Sequence, residues 1–542
     1  MRRVVLLALT LFAAPAFAGE PVVLTIVGTS DTHGRMAQLP IFASYMKALR
    51  ATHGDKGVVL IDAGDAFQGT LESDLDEGES VTAAFSAIGY DAMAVGNHEF
   101  DYGPVGPETT GRKKGGDPRG ALLARSKQAR FPMLAANVAC KQAGCGVEAF
   151  PPDVIVEKIA GMKVGIVGVT SEATLHTTIA ANVADLEVRP IAATIATRAK
   201  SLRERGANIV IVAAHAGGHC KGFIGPKSLS TCDEKGEIFE AARALPAGLV
   251  DAIIAGHTHQ AIAHTVNGIA IIQSYSGLKA FGRIDLTIDP ETKKITAALL
   301  HAPEGLRAKA IYEGGEITAE AAIATIIAPA LARADTRKRQ TLGPTLAHAL
   351  ERRYAEESAL GNFVASQMLA LMPAADVAIM NGGGMRADLP AGPLTYGAIY
   401  QALPFDNRFA LVTLTGKDLA RTFARNLHTD NGFLSIAGAK IEARCDEQHL
   451  SVRIRLDKGK ELGDEDKVVV ATNDFLATGG DDAWKGGDVR IMEDQASIRD
   501  QIADRLRVAK VALDARAWFD RGAPRISAPS SRPVRCGRAA RQ

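Results

Sequence analysis

Six consecutive residues, Gly96-Asn97-His98-Glu99-Phe100-Asp101, put an amide, an imidazole and two carboxylates at the end of the apolar run Ala92 to Val95. Asn97 offers a neutral oxygen ligand. His98 is free to work on a substrate if Asp101, three residues on, accepts a hydrogen bond from its other ring nitrogen and fixes the tautomer. A tight turn would use similar residues, so the reading depends on company elsewhere. Four further clusters supply it: Asp31-Thr32-His33-Gly34, Asp62-Ala63-Gly64-Asp65, His215, and Gly256-His257-Thr258-His259. A mixed set of Asp, His and Asn suits Mn, Zn, Fe or Co. Asp65, after its glycine, is suited to bridge two ions about 3.5–4 Å apart, with a water between them acidic enough at neutral pH to attack phosphorus.

Each cluster follows a short Val/Ile/Leu-rich run: Val22 to Val27, Val58 to Ile61, Ala92 to Val95, Ile209 to Val212 and Ala252 to Ile254, with Val164 to Val169 a sixth such run. Runs this apolar belong to sheets covered on both faces. Ligand-type residues gather where open α/β sheets bind, beyond the carboxyl ends of their strands. From Ala302 to about Arg339 the composition turns alanine-rich and reads as a connecting helix or hinge. The part beyond it opens with helical sequence through Met372, followed by a strand at Val377 to Met380.

After that strand comes Asn381-Gly382-Gly383-Gly384-Met385-Arg386. Three glycines, Gly383 among them, let backbone N–H groups approach an anion, and Arg386 can grip phosphate oxygens as a bidentate fork. Two later motifs, Leu403-Pro404-Phe405-Asp406-Asn407 and Asn473-Asp474-Phe475-Leu476-Ala477-Thr478-Gly479-Gly480-Asp481, set a Phe among turn-forming polar residues rather than in an apolar stripe. Such rings are suited to stacking on a base, worth about 1–3 kcal/mol each.

In this order the motifs resemble those of the calcineurin-like metallophosphoesterases, and more narrowly the 5'-nucleotidases of the bacterial exported type. The resemblance spans nearly the whole chain after its first residues. It implies an α/β (α+β overall) protein: an N-terminal four-layer αββα sandwich over 19–310, a linker or hinge helix over 311–341, and a C-terminal α/β substrate-binding domain over 342–527, with a basic tail over 528–542. It implies two divalent metal ions, one held by Asp31, His33, Asp65 and His259 and the other by Asp65, Asn97, His215 and His257, with His98 and Asp101 as the catalytic dyad. Phe405 and Phe475 would clamp the base, Asn381 contact it and Asp481 bind ribose, and a domain rotation would carry the nucleotide to the metals. A further phosphate-binding Arg is expected before Leu360-Gly361-Asn362-Phe363, where Arg352 and Arg353 both sit slightly off register. Ser30 stands where the family often has Asn.

The expected reaction is in-line attack on a nucleoside 5'-phosphate. Asn97 and Arg386 would stabilise phosphoryl charge, and His98 would assist the departing group. On the same scaffold the alternatives are a 2',3'-cyclic phosphodiesterase with 3'-nucleotidase activity or a sulfur-ester hydrolase. A non-catalytic nucleotide binder would have no use for the dyad.

Composition agrees with a globular protein: 542 residues, 47% hydrophobic and 23% charged, with a formal net charge of +1. That charge leaves no electrostatic footprint for nucleic acid. Arg2 and Arg3, the apolar run Val4 to Phe12 and Ala16-Phe17-Ala18 have the three parts of a signal peptide cleaved after Ala18. A periplasmic or secreted monomer with no integral membrane segment is therefore expected. Six cysteines suit an oxidising compartment. Proximity pairs Cys140 with Cys145 and Cys220 with Cys232, leaving Cys445 and Cys536 to pin the tail. Pro104 to Gly120, with Arg112, Lys113, Lys114 and Arg119, reads as a solvated insertion or a basic rim that gathers anionic substrate.

Overall fold

The structure is a computed structural model describing residues 20–106, 108, 110, 116–223, 225–430, 432–446, 449–484, 487–492, 495–509 and 514–536. The signal-peptide residues, Arg112, Lys113 and Lys114 of the basic loop, and the tail from 537 lie outside the described residues.

Among the described residues the N-terminal part builds one sheet of seven strands and one of six. In the first, Val22–Thr29, Val58–Asp62 and Ala92–Ala94 run parallel side by side. In the second, Lys163–Thr170, Ile209–His215 and Ala252–Ala255 do the same. Period-two alternation decides what each strand faces. Leu24, Ile26, Val59 and Ile61 point toward the other sheet and meet Ile166, Ile211 and Ile254 there. Val27, Val58 and Leu60 point the opposite way, onto the helices Leu39–His53, Glu79–Ile88 and Ala321–Lys338. Behind the second sheet lie the helices Ile191–Glu204 and Glu237–Ala244. Helix, sheet, sheet and helix make the four expected layers.

The C-terminal part centres on a five-stranded sheet in the order Leu434–Ala437, Val377–Asn381, Lys467–Asn473, Phe409–Thr415, Asp488–Ile491. Its one parallel pair is Val377–Asn381 with Lys467–Asn473, and both strands end in an asparagine. The helices Ala359–Leu371 and Ile498–Val508 pack against one another beside this sheet.

Two expectations about the connection need correction. The alanine-rich segment is helical only over Ala321–Lys338; before it the chain makes the short pair Ile311–Tyr312 and Gly315–Glu316. Glycine at 314 and 315 and the left-handed Glu313 favour that turn over a helix. Beyond the helix comes a strand, Thr341–Leu346, where a helix was expected. Leu342, Pro344 and Leu346 are buried and the residues between them exposed, a period of two. The helix Ala321–Lys338 belongs to both parts: Ile323 and Ile327 enter the first core, Ala334 the second.

Arg119 is the third correction. It is 3% exposed and forms a two-pronged pair with Asp185 at 2.8 and 2.9 Å while donating to the Asn182 carbonyl. It therefore holds the loop against its neighbours and does not belong to a charged rim.

All three cysteine pairs close as proximity suggested: Cys140–Cys145, Cys220–Cys232 and Cys445–Cys536. The last joins residues 91 apart and holds the segment around Val534 beside Leu427, whose carbonyl accepts from Val534 N at 2.8 Å. Loop-closure entropy grows with the enclosed length. Opening this bridge with Cys536→Ser is expected to cost about 4–5 kcal/mol, against about 2 kcal/mol for Cys145→Ser. Urea midpoints of the two variants check the order; equal shifts contradict it.

Candidate metal and substrate site

The residues picked out in the first half of the chain converge at one end of the two sheets. Asp31 and His33, Asp65, and Asn97 follow three adjacent strands of the first sheet. His215 ends a strand of the second, and His257 and His259 follow its neighbour. Asp31, His33, Asp65, His257 and His259 all have positive φ, between 47° and 74°. For residues with a Cβ this backbone is costly. Five such residues in one cluster mark loops shaped for what the side chains hold.

A buried carboxylate pins those loops. Glu99 is 1% exposed and accepts from the backbone N–H of Asp65, Ala66, Phe67 and Gly96, at 2.9, 2.8, 3.3 and 2.7 Å. The approach is so close that a Cβ at Gly96 would lie 2.3 Å from Asp65 Oδ1, and only glycine fits.

Ligand-type atoms are grouped in two sets, Asp31 with His33 and His259, and Asp65 with His215 and His257. The ring orientations are fixed from behind. His33 Nδ1 donates to the Gln68 carbonyl at 2.8 Å and His215 Nδ1 to the Ala63 carbonyl at 2.9 Å, which aims both Nε2 atoms into the cluster. There His33 Nε2 lies 2.9 Å from His259 Nε2. His215 Nε2 lies 2.9 Å from Asn97 Oδ1, 3.1 Å from Asp65 Oδ2 and 3.2 Å from His257 Nδ1. The Asn97 amide is oriented by donating Nδ2–H to the Thr177 carbonyl at 2.9 Å. So many acceptor atoms at van der Waals contact or closer repel one another unless a cation sits among them, and this donor set fits divalent metal ions.

Protonation agrees. Burial lowers His33 to about 3, burial and the His215 cation lower His257 to about 3, and burial lowers His259 to about 4, so all three are neutral, as a metal requires. His215 differs. Burial opposes its charge, but Asp65 outweighs burial and raises it to about 10. Without metal, a proton on His215 is the cation in the cluster.

His98 stands at the rim. Its Nδ1 donates to Asp101 Oδ2 at 2.6 Å, and burial of the ring is outweighed by Asp101 and Asp65, raising it to about 9. Asp101 is itself held by Thr178, whose hydroxyl donates to Oδ1 at 2.7 Å.

The second half of the chain faces this cluster across a cleft of about 380 Å³ lined by both parts. Asn381, Gly383, Arg386, Phe405, Phe475 and Asp481 all border it. The Phe405 ring lies nearly parallel to His98, centroids 5.9 Å apart, with the Arg386 guanidinium 5.2 Å from the Phe405 ring centroid. Phe475 sits on the short helix Asp474–Ala477 rather than in a loop, and Gly480 lies against its ring. Asn381 is fixed between Asn473, which donates to its Oδ1 at 3.0 Å, and Asp481, which accepts from its Nδ2 at 2.9 Å. Arg353 pairs with Glu351 and Glu356. Arg352 lies close enough to Arg386 to depress it alongside burial, and its Nε is buried without a partner among the described residues.

Comparison with known proteins matches a calcineurin-like phosphoesterase model to residues 24–261 and a 5'-nucleotidase C-terminal domain model to residues 334–485. The chain belongs to the 5'-nucleotidase family. It is a hydrolase of the metallophosphatase type, and the family implies divalent metal ions. Among curated relatives of this 5'-nucleotidase-family chain, UshA of Escherichia coli is 27% identical over 509 residues, covering 84% of the chain and 86% of UshA. Endonuclease YhcR of Bacillus subtilis is 28% identical over 468 residues; that match takes in 84% of the chain but only 35% of the longer relative. A crystal structure of a 5'-nucleotidase precursor from Thermus thermophilus superposes with a TM-score of 0.69 at 23% identity, covering 93% of this chain and 99% of that one, a likeness of fold.

Sequence reasoning gave no role to Glu99, Thr177, Thr178, Gln68 or Asn473, which touch the expected site residues rather than belonging to them. Glu99 and Asn473 stand inside the motifs. The others sit in unremarkable stretches and carry no local signal.

Because a metal bound at His215 must displace its proton, loading of this 5'-nucleotidase-family protein at pH 8 is expected to release about one proton per protein molecule and to weaken as pH falls. Titration calorimetry in two buffers of different ionisation enthalpy measures the release. No net release would contradict the assignment of His215.

Proposed function

We propose that the protein is an exported, metal-dependent phosphohydrolase that releases phosphate from nucleoside 5'-phosphates. The observation that carries this is a metal-type cluster on one part of the chain and a pair of phenyl rings on the other, bordering one cleft. A phosphomonoester with an attached base needs both.

In this reading, Asp31, His33, Asp65 and His259 would hold one divalent ion, and Asp65, Asn97, His215 and His257 a second. The ions would be of the Mn, Zn, Co or Fe class and supply Lewis-acid charge and an activated water. The chain's own groups do the rest. Arg386, with Arg352 as the additional phosphate ligand, draws the phosphoryl oxygens in. Their mutual repulsion is relieved when the anion arrives. Gly383 presents backbone to the same group. Phe405 and Phe475 hold the base, Asn381 its edge and Asp481 the ribose. His98, oriented by Asp101 and charged at neutral pH, delivers a proton toward the leaving oxygen. The 19–310 region is then the catalytic domain, 342–527 the substrate domain and 311–341 the link.

Export is supported by the first eighteen residues and by three disulfides, which persist in oxidising compartments. Among the described residues no helix is long and apolar enough to cross a membrane.

The test is phosphate release from a panel of 5'-, 3'- and 2',3'-cyclic nucleotides, with Mn²⁺ and with chelator. Chelator-sensitive release chiefly from the 5'-nucleotides is expected; preference for cyclic substrates would move the function to a phosphodiesterase. His98→Ala should lower kcat by about 10²–10⁴-fold with metal content unchanged. Asp101→Asn removes the charge that raises His98. Its protonated form is then lost at lower pH, and the alkaline limb of the kcat profile moves acidward. An unmoved limb would take the acid role from His98.

A further inference from the structure

We propose that Arg499 is a positioning residue for base recognition, setting the Phe405 ring in place. The proposal rests on the nucleotidase reading, to which it adds a determinant on a helix away from the reacting groups. Arg499 lies in the first turn of the helix Ile498–Val508 and is 5% exposed. Its Nη1 donates to the carbonyls of Leu403, Pro404 and Phe405 at 3.3, 3.1 and 3.5 Å, and its Nη2 pairs with Asp406. One guanidinium thus reaches three successive carbonyls of the turn that presents the ring. Buried carbonyls outside a sheet need such donors. A planar fork supplies several in fixed directions, which an ammonium does not.

The same guanidinium ties the turn to the metal-bearing part. It lies 4.3 Å from the centroid of Tyr400. The Tyr400 hydroxyl donates to the Asp74 carboxylate, which also accepts from the Tyr102 hydroxyl at 2.8 Å and from Gly69 N at 3.3 Å. Beside this path, Gln68 Nε2 donates to the Pro404 carbonyl at 3.5 Å, while the Gln68 carbonyl holds His33. The ring is consequently fixed relative to His98 as well as to its own domain. Arg499 touches neither the reacting atoms nor the metal ligands, so its influence runs through Phe405.

The experiment compares a nucleoside 5'-monophosphate with ribose 5-phosphate, which keeps the sugar and phosphate and lacks the base. Loss of one stacking contact corresponds to a rise in nucleotide KM of about tenfold. Arg499→Met is expected to show that rise with kcat nearly intact, while kcat/KM for ribose 5-phosphate changes by less than about twofold. Arg499→Lys should behave like Arg499→Met because it lacks the fork. Asp406→Asn, at a half-exposed carboxylate, frees the guanidinium and should raise the nucleotide KM by a smaller factor. It carries the test alone if the Arg499 variants do not fold. An unchanged ratio of the two substrates in folded variants, or equal loss on both, overturns the proposal. If the unsubstituted protein does not favour the nucleotide over ribose 5-phosphate, the nucleotidase reading falls first, and that result is visible before any substitution is made.

Discussion

The centre of the molecule depends on one carboxylate taking four backbone N–H groups out of the core. Glu99 is buried, and burial with the nearby Asp65 charge raises it to about 7. It gathers the Asp65 loop and the Gly96 turn onto a single side chain. Without it those donors would be left unpaired in an apolar interior, at a cost of about 1–3 kcal/mol each. With it, Asp65 can keep a left-handed backbone and His98 N can donate to Asp65 Oδ1 at 2.9 Å. His98, Asp65 and Asn97 are therefore parts of one rigid turn system.

What was legible in the chain was whatever is local. Strand ends followed by Asp, His and Asn announce a site at the carboxyl edge of a sheet, because a parallel strand buried on both faces must be apolar and its exit is where polar groups can gather. The six runs fall on strands, and the four layers follow from their alternation. The segment before Ala321 misled because alanine content favours a helix, while Gly314 and Gly315 at a left-handed turn do not permit one. Thr341–Leu346 misled for the opposite reason: its period of two is only three repeats long and is interrupted by a glycine. Arg119 carries the same charge as its neighbours in sequence, and only its partner Asp185, folded against it from far along the chain, makes it structural. Thr178, Gln68 and Arg499 likewise act on residues 77 or more positions away. No spacing rule reaches that far.

The two halves meet through a short stretch that adjoins a loop of the candidate metal cluster. Leu71 enters the core of the C-terminal part, Glu72 pairs with Lys338 and Asp76 with Arg333 at 2.9 Å. These residues begin six positions after Asp65. The surface that orients one part on the other is thus continuous with the loop that carries a candidate ligand, and a change in packing at one is felt at the other.

The ligand loops hang from two different sheets, and this has a bearing on how such a chain can drift in evolution. Three loops are anchored on one sheet and two on the other, and each ligand set draws on both, so the distance between the sheets decides how closely the members of a set approach one another. That distance is kept by Ile254 and Ile272 lying against Gly28, where a Cβ would fall 2.4 Å from an Ile254 methyl. A substitution in this apolar interior would push the sheets apart and with them the ligand-type residues that each carries. Hydrocarbon positions between the sheets are in that sense part of the site, and a library that varies them samples how closely the ligand-type residues approach one another.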